Sequence, residues 1–587
     1  MQSAETVLSV LRERGRRGLP CDELYRQLFN PQLFLLAHGR IYSSHGAMTP
    51  GACGETADGM SLAKIGRIIG ALRHERYRFQ PARRVYIPKK SGKKRPLGLP
   101  SWSDKLVGEV MRLLLNAYYE PTFSGRSYGF RPGRGCHTAL SSVAASWTGT
   151  SWFVEGDISD CFGSLDHEVM VSILAEKIRD NRFLRLIRQM LQAGYLEDWE
   201  WNATLSGVPQ GGVVSPVLSN IYLDRLDRFV ETVLIPEYTR GASRAPNPAY
   251  RKVIRAMTRA RQRGDRAAFR ELRRKLRGLP SQDPDDPGYR RLRYARYADD
   301  HLLGFTGPKA EAEEIKARLA TFLREELKLE LNQDKTLITN ARSGAARFLG
   351  YEIITQHSRD RPQVNGVIRL RVPQAVIKAK CALYLARGKP ARRPGLLNLS
   401  DSLIIGTYGA EYRGVVQYYL LAGDVWRLNR LEWAAVTSML KTLAAKHGSS
   451  VTKMARKHKA KIMTPHGPRT CFEASIQRAG RKPLVARFGG IPLRRQRNAV
   501  LTDRPPVPVT GPRELTTRLL RSRCELCEQR GQVEIHQVRS LAALTRTGQP
   551  RPAWAQLMAT MRRKTLVVCT TCHQAIHAGQ PAVMPTQ

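Results

Sequence analysis

Residues 296–305 read RYADDHLLGF and place two adjacent carboxylates, Asp299 and Asp300, inside an otherwise apolar run with the composition of a strand. Two acidic residues in such a stretch commonly form a solvated turn between strands, and the stretch alone does not distinguish that role from a catalytic one. A catalytic pair needs a partner, because nucleotidyl transfer uses two Mg²⁺ ions about 4 Å apart, held by acids from more than one strand end.

A second acid of this kind lies far upstream, in WFVEGDISDCF at 152–162. The apolar residues Trp152, Phe153 and Val154 predict a strand that leads to Asp157. Asp157 could instead cap a helix or a turn, although Ser159 and Asp160 can fill that position. If this strand lies next to the strand of residues 296–305, the three carboxylates meet at one edge of a sheet.

The composition indicates a chain with several folded domains and a polyanionic partner. It has 587 residues, 42% of them hydrophobic, and 96 Lys and Arg against 50 Asp and Glu, which gives a formal charge of +46. Nucleic acid is the commonest large polyanion that neutralises such a surface. We find no apolar run of bilayer length, no basic amphipathic anchor and no secretory signal, so we expect no membrane partner and a cytoplasmic location.

The positive charge is concentrated between residues 240 and 278. This segment has fourteen Lys and Arg, and its only acids are Asp265 and Glu271. Its apolar residues recur at helical spacing, which predicts one or two basic helices laid along phosphates. A solvated pair of charged helices is the alternative.

Four of the ten cysteines form two CxxC pairs near the C-terminus, CELC at 524–527 and CTTC at 569–572. Paired CxxC knuckles in a reducing compartment predict a tetrahedral zinc ion held by all four thiolates. A redox pair is the alternative, and the presence of two pairs argues against it. The predicted ligands are Cys524, Cys527, Cys569 and Cys572.

Seven motifs from residue 83 onward identify a known family. In order, they are RRVYIPKKSGKKRPLGLP (83–100), SYGFRPGRG (127–135), FVEGDISDCFGSLDH (153–167), LSGVPQGGVVSPVLSNIYLD (205–224), YADD (297–300), LNQDKT (331–336) and FLGY (348–351). The chain resembles the group II intron-encoded proteins, which are reverse transcriptases and maturases with a C-terminal HNH endonuclease module. The resemblance runs nearly end to end.

The resemblance implies an α/β (α+β) right-hand polymerase fold and a division into four regions. Fingers and palm occupy 1–356, an α-helical thumb and maturase domain 357–493, a basic DNA-binding linker 494–520, and a small zinc-bound ββα HNH module 521–587. Helical spacing of apolar residues from Pro373 to about Pro492 agrees with a helical third quarter of the chain.

Roles for individual residues also follow from the resemblance. Asp157, Asp299 and Asp300 would hold two Mg²⁺ ions at the polymerase site. Lys89 and Arg95 would grip the incoming dNTP, although both could be ordinary hairpin charges, and Lys335 could likewise be an ordinary surface lysine. The remaining nucleotide-site residues would be Ile158, Phe162, Gln210 and Lys335, and the primer grip would be Phe348, Leu349, Gly350 and Tyr351.

The C-terminal module carries one departure from its family. His536, His573 and His577 match the positions that hold a divalent ion, the last two at i and i+4 of a predicted helix. Many relatives have a second histidine after the first, as the general base, and here that residue is Gln537, whose amide cannot accept a proton near neutral pH. A zinc-stabilised DNA-binding module without cleavage is therefore the alternative.

The whole-chain prediction is an RNA-directed DNA polymerase that binds group II intron RNA, promotes splicing and cleaves a DNA target. A reverse transcriptase of another lineage, used in defence or diversification, is one alternative. A non-enzymatic RNA-binding splicing factor is the other, and the intact polymerase carboxylates argue against it.

Overall fold

The computed structural model describes residues 2–44, 46–88, 92, 94–198, 200–204, 206–207, 212–283, 286–358, 364–478, 481–501, 514–544 and 552–580. Lys89 and Gln210, two residues of the predicted nucleotide site, lie outside the described residues. Within them, no helix combines the length and the apolar character that a membrane span requires.

The N-terminal region consists mainly of helices and contains one β-hairpin. Its long helix begins at Trp102, where the Ser101 side chain accepts a hydrogen bond from the Asp104 N–H, and nearly all of it is buried. The elements are α1 (Ala4–Arg16), α2 (Pro31–Ile41), β1 (Met60–Ser61), α3 (Leu62–Arg73), β2 (Ala82–Pro88), β3 (Lys94–Leu99), α4 (Trp102–Tyr119) and α5 (Cys136–Ser146).

The middle of the chain contains the region that the sequence predicts to be the palm. Its elements are β4 (Trp152–Gly156), α6 (Cys161–Ser164), α7 (His167–Ala175), α8 (Asn181–Leu191), β5 (Tyr195–Glu197), β6 (Glu200–Asn202), α9 (Ser215–Phe229), α10 (Ile235–Glu237), α11 (Pro248–Gln262), α12 (Arg266–Arg277), β7 (Arg291–Tyr297), β8 (Asp300–Thr306), α13 (Lys309–Leu327), β9 (Ile338–Asn340), β10 (Ala346–Phe348) and β11 (Tyr351–Thr355).

Two sheets organise this half. The sheet with strand order β7–β8–β4–β9, here called the palm sheet after the predicted region, is antiparallel, and a second sheet has the order β3–β2–β5–β6. Successive side chains of a strand point to opposite faces of the sheet, and helices cover both faces of the palm sheet. Leu302 and Leu303 of β8 are therefore buried in two different hydrophobic cores, one on each face. The predicted basic helices are present as α11 and α12.

The third quarter of the chain is only partly helical. It contains β12 (Ile368–Arg371), α14 (Gln374–Ala382), β13 (Leu385–Ala386), β14 (Lys389–Pro390), α15 (Asp401–Tyr418), α16 (Asn429–Lys446), α17 (Val451–His458), β15 (Lys459–Thr464), β16 (Gly467–Arg478) and β17 (Arg481–Gly489). β12 pairs with β11, so antiparallel pairing spans the predicted boundary at residue 356.

The prediction of a helical pattern up to about Pro492 is wrong for residues 459–478 and 481–489, which contain the three strands of an antiparallel sheet. The reason lies in the sequence: KAKIMT at 459–464 alternates between exposed and half-buried residues, with the period of two that a strand requires. The sheet packs on α15, where the rings of Phe488 and Tyr412 stack at 5.2 Å.

The C-terminal module is a ββα unit that docks on the N-terminal region. Its elements are α18 (Glu514–Leu520), β18 (Val533–Gln537), α19 (Ala553–Met561), β19 (Thr565–Cys569) and α20 (Thr570–His577). β1, from the other end of the chain, pairs antiparallel with β18 and makes a three-stranded sheet. α18 occupies the end of the segment predicted as a linker, and its Leu515 and Leu519 are buried in the N-terminal core.

Candidate active site and metal centres

Asp157, Asp299 and Asp300, here called the palm carboxylates, lie at one edge of the palm sheet. β4 ends at Gly156, directly before Asp157, and Gly156 is the register partner of His301 in β8. Ala298 and Asp299 form the two-residue turn between β7 and β8, where Tyr297 pairs with Asp300. The sheet register therefore brings the end of β4 alongside this turn, as the sequence predicts.

The turn that carries Asp299 is held by a buried arginine. Arg296 is fully buried, and its Nε and Nη2 donate to the two carboxylate oxygens of Asp227 at 2.7 and 2.6 Å. Its Nη1 donates to the Ala298 carbonyl at 2.9 Å, and Ala298 adopts the left-handed conformation with φ of 55°. This bidentate pair fixes the backbone of the turn.

Two glycines let the backbone close around the site. A Cβ atom on Gly156 would lie 1.9 Å from the ring of His301, and one on Gly129 would lie 2.4 Å from the backbone nitrogen of Ala298. Gly129 belongs to the SYGF motif, so this motif packs directly against the YADD turn. Any larger residue at either position would displace the turn.

Burial and neighbouring negative charge raise the pKa of Asp299 and of Asp300. Asp300 is exposed as a residue, but the surrounding protein removes much of the water from its carboxyl group. This desolvation, together with the negative charges of Asp299 and Asp157, raises the pKa of Asp300 to about 7. Burial and the charge of Asp157 likewise raise the pKa of Asp299. Crowded carboxylates of this kind favour a divalent cation, which would neutralise them.

Lys335 supplies the positive charge nearest to this cluster. Its Nζ donates to Asp157 Oδ2 at 2.6 Å, and this hydrogen bond raises the pKa of Lys335. The Asn332 backbone N–H donates to the Asp157 carbonyl at 2.8 Å, so the LNQDKT segment lies against the end of β4. The side chain of Lys335 is largely exposed and remains able to contact a ligand at the cluster.

The other predicted nucleotide-site residues surround the same edge. The charge of Arg95, on β3, acts on Asp299 and opposes the rise in its pKa. Phe162 lies half-buried, with its ring 6.4 Å from that of Phe130. Ile158 is buried and forms an isolated bridge with Leu331.

The FLGY segment is a tight hairpin that contacts the helical domain. Leu349 and Gly350 both have positive φ, 47° and 70°, between β10 and β11. The Tyr418 hydroxyl donates to the Leu349 carbonyl at 2.8 Å, and the Tyr419 hydroxyl donates to the Gly350 carbonyl at 2.9 Å. Tyr351 in turn donates to the Tyr418 carbonyl. The end of α15 therefore fixes the position of this turn.

Cys524, Cys527, Cys569 and Cys572, here called the cysteine cluster, converge as predicted. Their sulfur atoms all lie within 4.8 Å of one another. The Cys572 N–H contacts the Cys569 sulfur at 3.5 Å, and the Cys527 N–H contacts the Cys524 sulfur at 3.4 Å. Backbone donors aimed at sulfur favour the thiolate form that binds a metal ion.

The three predicted histidines also meet, and the carboxylate of Asp58 lies beside them. His536 on β18 and His573 and His577 on α20 lie within 4.8 Å, ligand atom to ligand atom, of the carboxylate of Asp58. We call these four residues the histidine cluster. Asp58 lies two residues before the start of β1, and nothing in its local sequence, GETADGM, indicates a metal ligand.

Gln537 faces the N-terminal region. Its side-chain amide donates to the Tyr42 carbonyl at 2.8 Å, and its backbone N–H donates to Asp58 Oδ1 at 2.7 Å. The residue at the predicted general-base position thus contributes to docking of the module. Its effect on cleavage stays a prediction.

Family models match three consecutive parts of the chain. A reverse transcriptase (RNA-dependent DNA polymerase) matches residues 87–353, a type II intron maturase 367–474, and an AI2M/AI1M-like HNH endonuclease 524–573. Group II intron-encoded protein LtrA of Lactococcus lactis subsp. cremoris is 36% identical, over 94% of this chain and 95% of the relative. The chain belongs to the group II intron-encoded proteins.

Fungal relatives in this family match over similar lengths. An uncharacterized 91 kDa protein in the cob intron of Schizosaccharomyces pombe is 32% identical over 95% of this chain and 70% of its own length. The putative COX1/OXI3 intron 1 protein of Saccharomyces cerevisiae is 30% identical over 94% and 68%. As a group II intron-encoded protein, this chain combines reverse transcriptase, maturase and HNH endonuclease domains in one multifunctional enzyme.

The structure of this group II intron-encoded protein brings together the predicted ligands of each cluster. Sequence reasoning missed Arg296, Tyr418, Tyr419 and Asp58 as parts of the sites. An arginine inside an apolar strand, directly before YADD, was an available signal for a buried ion pair. The tyrosines lie on a helical pattern that is equally typical of core residues.

Proposed function

We propose that the palm carboxylates hold the two Mg²⁺ ions of an RNA-templated DNA polymerase. The observation that carries this proposal is the convergence of Asp157 with the Asp299–Asp300 turn, where the charge of Asp157 helps to raise the pKa of both Asp299 and Asp300. Bound Mg²⁺ would neutralise charge at the α-phosphate and lower the pKa of the primer 3′-hydroxyl. In this arrangement Asp157 and Asp299 are the direct ligands, and Asp300 assists.

Basic residues around the palm carboxylates would bind the triphosphate of a dNTP. Arg95 acts electrostatically on Asp299, and Lys335 contacts Asp157 directly, so both charges lie where phosphate oxygens would approach. Lys335 would exchange Asp157 for the leaving pyrophosphate. The backbone of Ile158 and the ring of Phe162 would contact the nucleotide sugar, with Phe162 disfavouring a ribose 2′-hydroxyl. Lys89 and Gln210 keep their proposed roles from the sequence.

The FLGY turn would grip the primer strand. Its two left-handed residues are fixed by hydroxyl groups of the helical domain, so the turn is a rigid edge beside the palm sheet. Rigid positioning is what in-line attack by the primer terminus requires. The residues are Phe348, Leu349, Gly350 and Tyr351.

The maturase domain and the basic helices would bind group II intron RNA and promote its splicing. α11 and α12 carry most of the local excess of Lys and Arg, and α12 has no buried residue, so its charges face outward. Phosphate contacts of this kind lose affinity steeply as salt rises. The reducing conditions that a four-cysteine metal site needs favour the bacterial cytoplasm as the location.

In the C-terminal module, the cysteine cluster would hold a structural Zn²⁺ ion, and His536, His573 and His577 would hold the divalent ion of an HNH endonuclease. Four thiolates are the typical ligand set of a closed structural zinc site. The DNA target would be cleaved on one strand to provide a primer for reverse transcription. Since Gln537 cannot act as a general base, we expect this cleavage to be slow.

Primer extension on an RNA template tests the polymerase proposal. Wild-type protein with Mg²⁺ and dNTPs should extend a DNA primer, and Asp299→Asn should lower the rate by a factor on the order of 10³. Asp334→Asn, an exposed acid beside Lys335, is the matched control and should retain wild-type activity. Absence of product with the folded wild-type protein would contradict the proposal.

A further inference from the structure

The histidine cluster joins the two ends of the chain. Asp58 and His577 are 519 residues apart in sequence, yet Asp58 Oδ2 lies 2.8 Å from His577 Nε2. Their approach is fixed by the backbone, since Met60 pairs with Ile535 across β1 and β18, and the Gly59 N–H donates to the Ile535 carbonyl at 3.0 Å. The carboxylate therefore reaches the imidazoles from a paired strand.

The spacing of the ligand atoms fits a tetrahedral ion. Asp58 Oδ2 lies 3.3 Å from His573 Nε2, Asp58 Oδ1 lies 3.4 Å from His536 Nδ1, and the Nε2 atoms of His573 and His577 lie 3.2 Å apart. Ligands bound to zinc at about 2.0–2.1 Å, at the corners of a tetrahedron, are separated by about 3.3 Å. Little movement would be needed to bind an ion.

Two further observations point to a ligand at this position. The side chain of His536 is about 95% buried (5% exposed), and neither of its ring nitrogens has a hydrogen-bond partner among the described residues. Such orphaned nitrogens are costly unless something binds them. His573 is oriented by Glu534, whose Oε2 lies 2.9 Å from Nδ1, which leaves Nε2 directed at Asp58 and His577. Carboxylates commonly orient metal-binding imidazoles in this way.

From these contacts, we propose that Asp58 is the fourth ligand of the ion bound by His536, His573 and His577, and that this ion fastens the C-terminal module to the N-terminal region. The inference rests on the proposed ion site of the module and adds its missing ligand. Three imidazoles and one carboxylate favour a divalent transition metal of the zinc class over Mg²⁺, which prefers six oxygen ligands.

The proposal gives the bound ion a closed, four-coordinate environment while the module is docked. Catalytic zinc sites keep one position open for water or substrate, whereas sites with four protein ligands are structural, so cleavage by the proposed endonuclease would require Asp58 to leave the ion. The N-terminal region, with Asp58, therefore completes the site as part of the fold. Gln537 also holds the module in its docked position, because its side chain and its backbone both hydrogen bond to the N-terminal region.

The first test counts bound zinc in the full-length protein. Wild type should retain two Zn²⁺ ions per chain, one at each cluster, after dialysis against a weak chelator. Asp58→Asn keeps the size of the side chain but removes its charge, and it should bind the second ion at least about tenfold more weakly. Asp22→Asn, an exposed acid of the same region, is the matched control and should retain both ions.

Cobalt substitution assigns the lost ion to one cluster. The sulfur-to-cobalt absorption of the cysteine cluster should persist in Asp58→Asn, while the weaker visible bands of the nitrogen and oxygen site disappear. In the same variant, hydrogen exchange of the β1 and β18 backbone amides should accelerate. Primer extension at the wild-type rate would show that the variant is folded.

The variant His573→Ala separates failure of this inference from failure of the proposed ion site. If His573→Ala loses the second ion while Asp58→Asn keeps it at wild-type affinity, the histidines bind the ion without Asp58 and the inference is overturned. If neither variant loses it, both the ion site and the inference are overturned. The inference requires that both variants lose it.

Discussion

The palm carboxylates come from two adjacent strands of one sheet, whereas the ligand atoms of the histidine cluster come from opposite ends of the chain. The first set consists of oxygen ligands only, which suits Mg²⁺, and the second is rich in imidazole, which suits a zinc-class ion. This difference teaches that a cluster of acidic residues within one sheet can be predicted from local motifs. The histidine cluster, whose residues come from both ends of the chain, forms only because the C-terminal module docks on the N-terminal region.

The largest effect on primer extension should come from substituting Arg296, the buried residue that holds the turn of the palm carboxylates. Arg296→Met leaves Asp227 as an unpaired buried charge, and loss of one partner of such a pair costs about 3–5 kcal/mol. We expect primer extension to fall together with hydrogen-exchange protection of β7 and β8, while the zinc content of the histidine cluster is unchanged.

Arg126→Met is the control for this prediction. Arg126 pairs with Glu231 on the surface, with about half of its side chain exposed, so its loss should cost no more than about 1 kcal/mol. Equal effects of the two substitutions would mean that the Arg296 pair does not hold the turn.

A smaller effect should follow from pH. Because the pKa of Asp300 is raised to about 7, the metal-free site binds a proton below that pH, and protons compete with Mg²⁺. The Mg²⁺ concentration for half-maximal primer extension should therefore rise as pH falls from 8 to 6, by up to about tenfold per unit below 7. A Mg²⁺ requirement that is independent of pH over this range would show that Asp300 does not contribute to ion binding.

The smallest effect should be at the contact between the palm and the helical domain. Tyr419→Phe removes the hydroxyl that donates to the Gly350 carbonyl, a hydrogen bond worth about 1 kcal/mol. Hydrogen exchange at the FLGY turn should accelerate about fivefold, with no change at the cysteine cluster. Unchanged exchange at the turn would indicate that Tyr418 and the backbone suffice to hold it.

The sequence predicted which residues converge in each of the three clusters, apart from Asp58, because these residues fall in short motifs. Asp157 and the YADD pair follow apolar strands, and the CxxC spacing itself indicates a metal knuckle. The order of motifs also indicated the reverse transcriptase, maturase and HNH domains that the family comparisons identify.

What the sequence did not predict depends on contacts between distant segments. Asp58 becomes a candidate ligand only because β1 pairs with β18, and no local pattern encodes that pairing. The sheet formed by β15, β16 and β17 is not predicted, because apolar residues further upstream recur at helical spacing and hide the shorter alternation at 459–464. In the sequence, Arg296 cannot be distinguished from the many other basic residues of this chain, and only the structure shows that it is buried.

A paired measurement of primer extension and zinc content, on Asp299→Asn and Asp58→Asn, tests the separation of the two sites most directly. Asp299→Asn should lose primer extension and retain two zinc ions per chain, and Asp58→Asn should retain primer extension and lose one zinc ion. Loss of both properties in either variant, or full activity of Asp299→Asn, would contradict two separate sites of different metal chemistry.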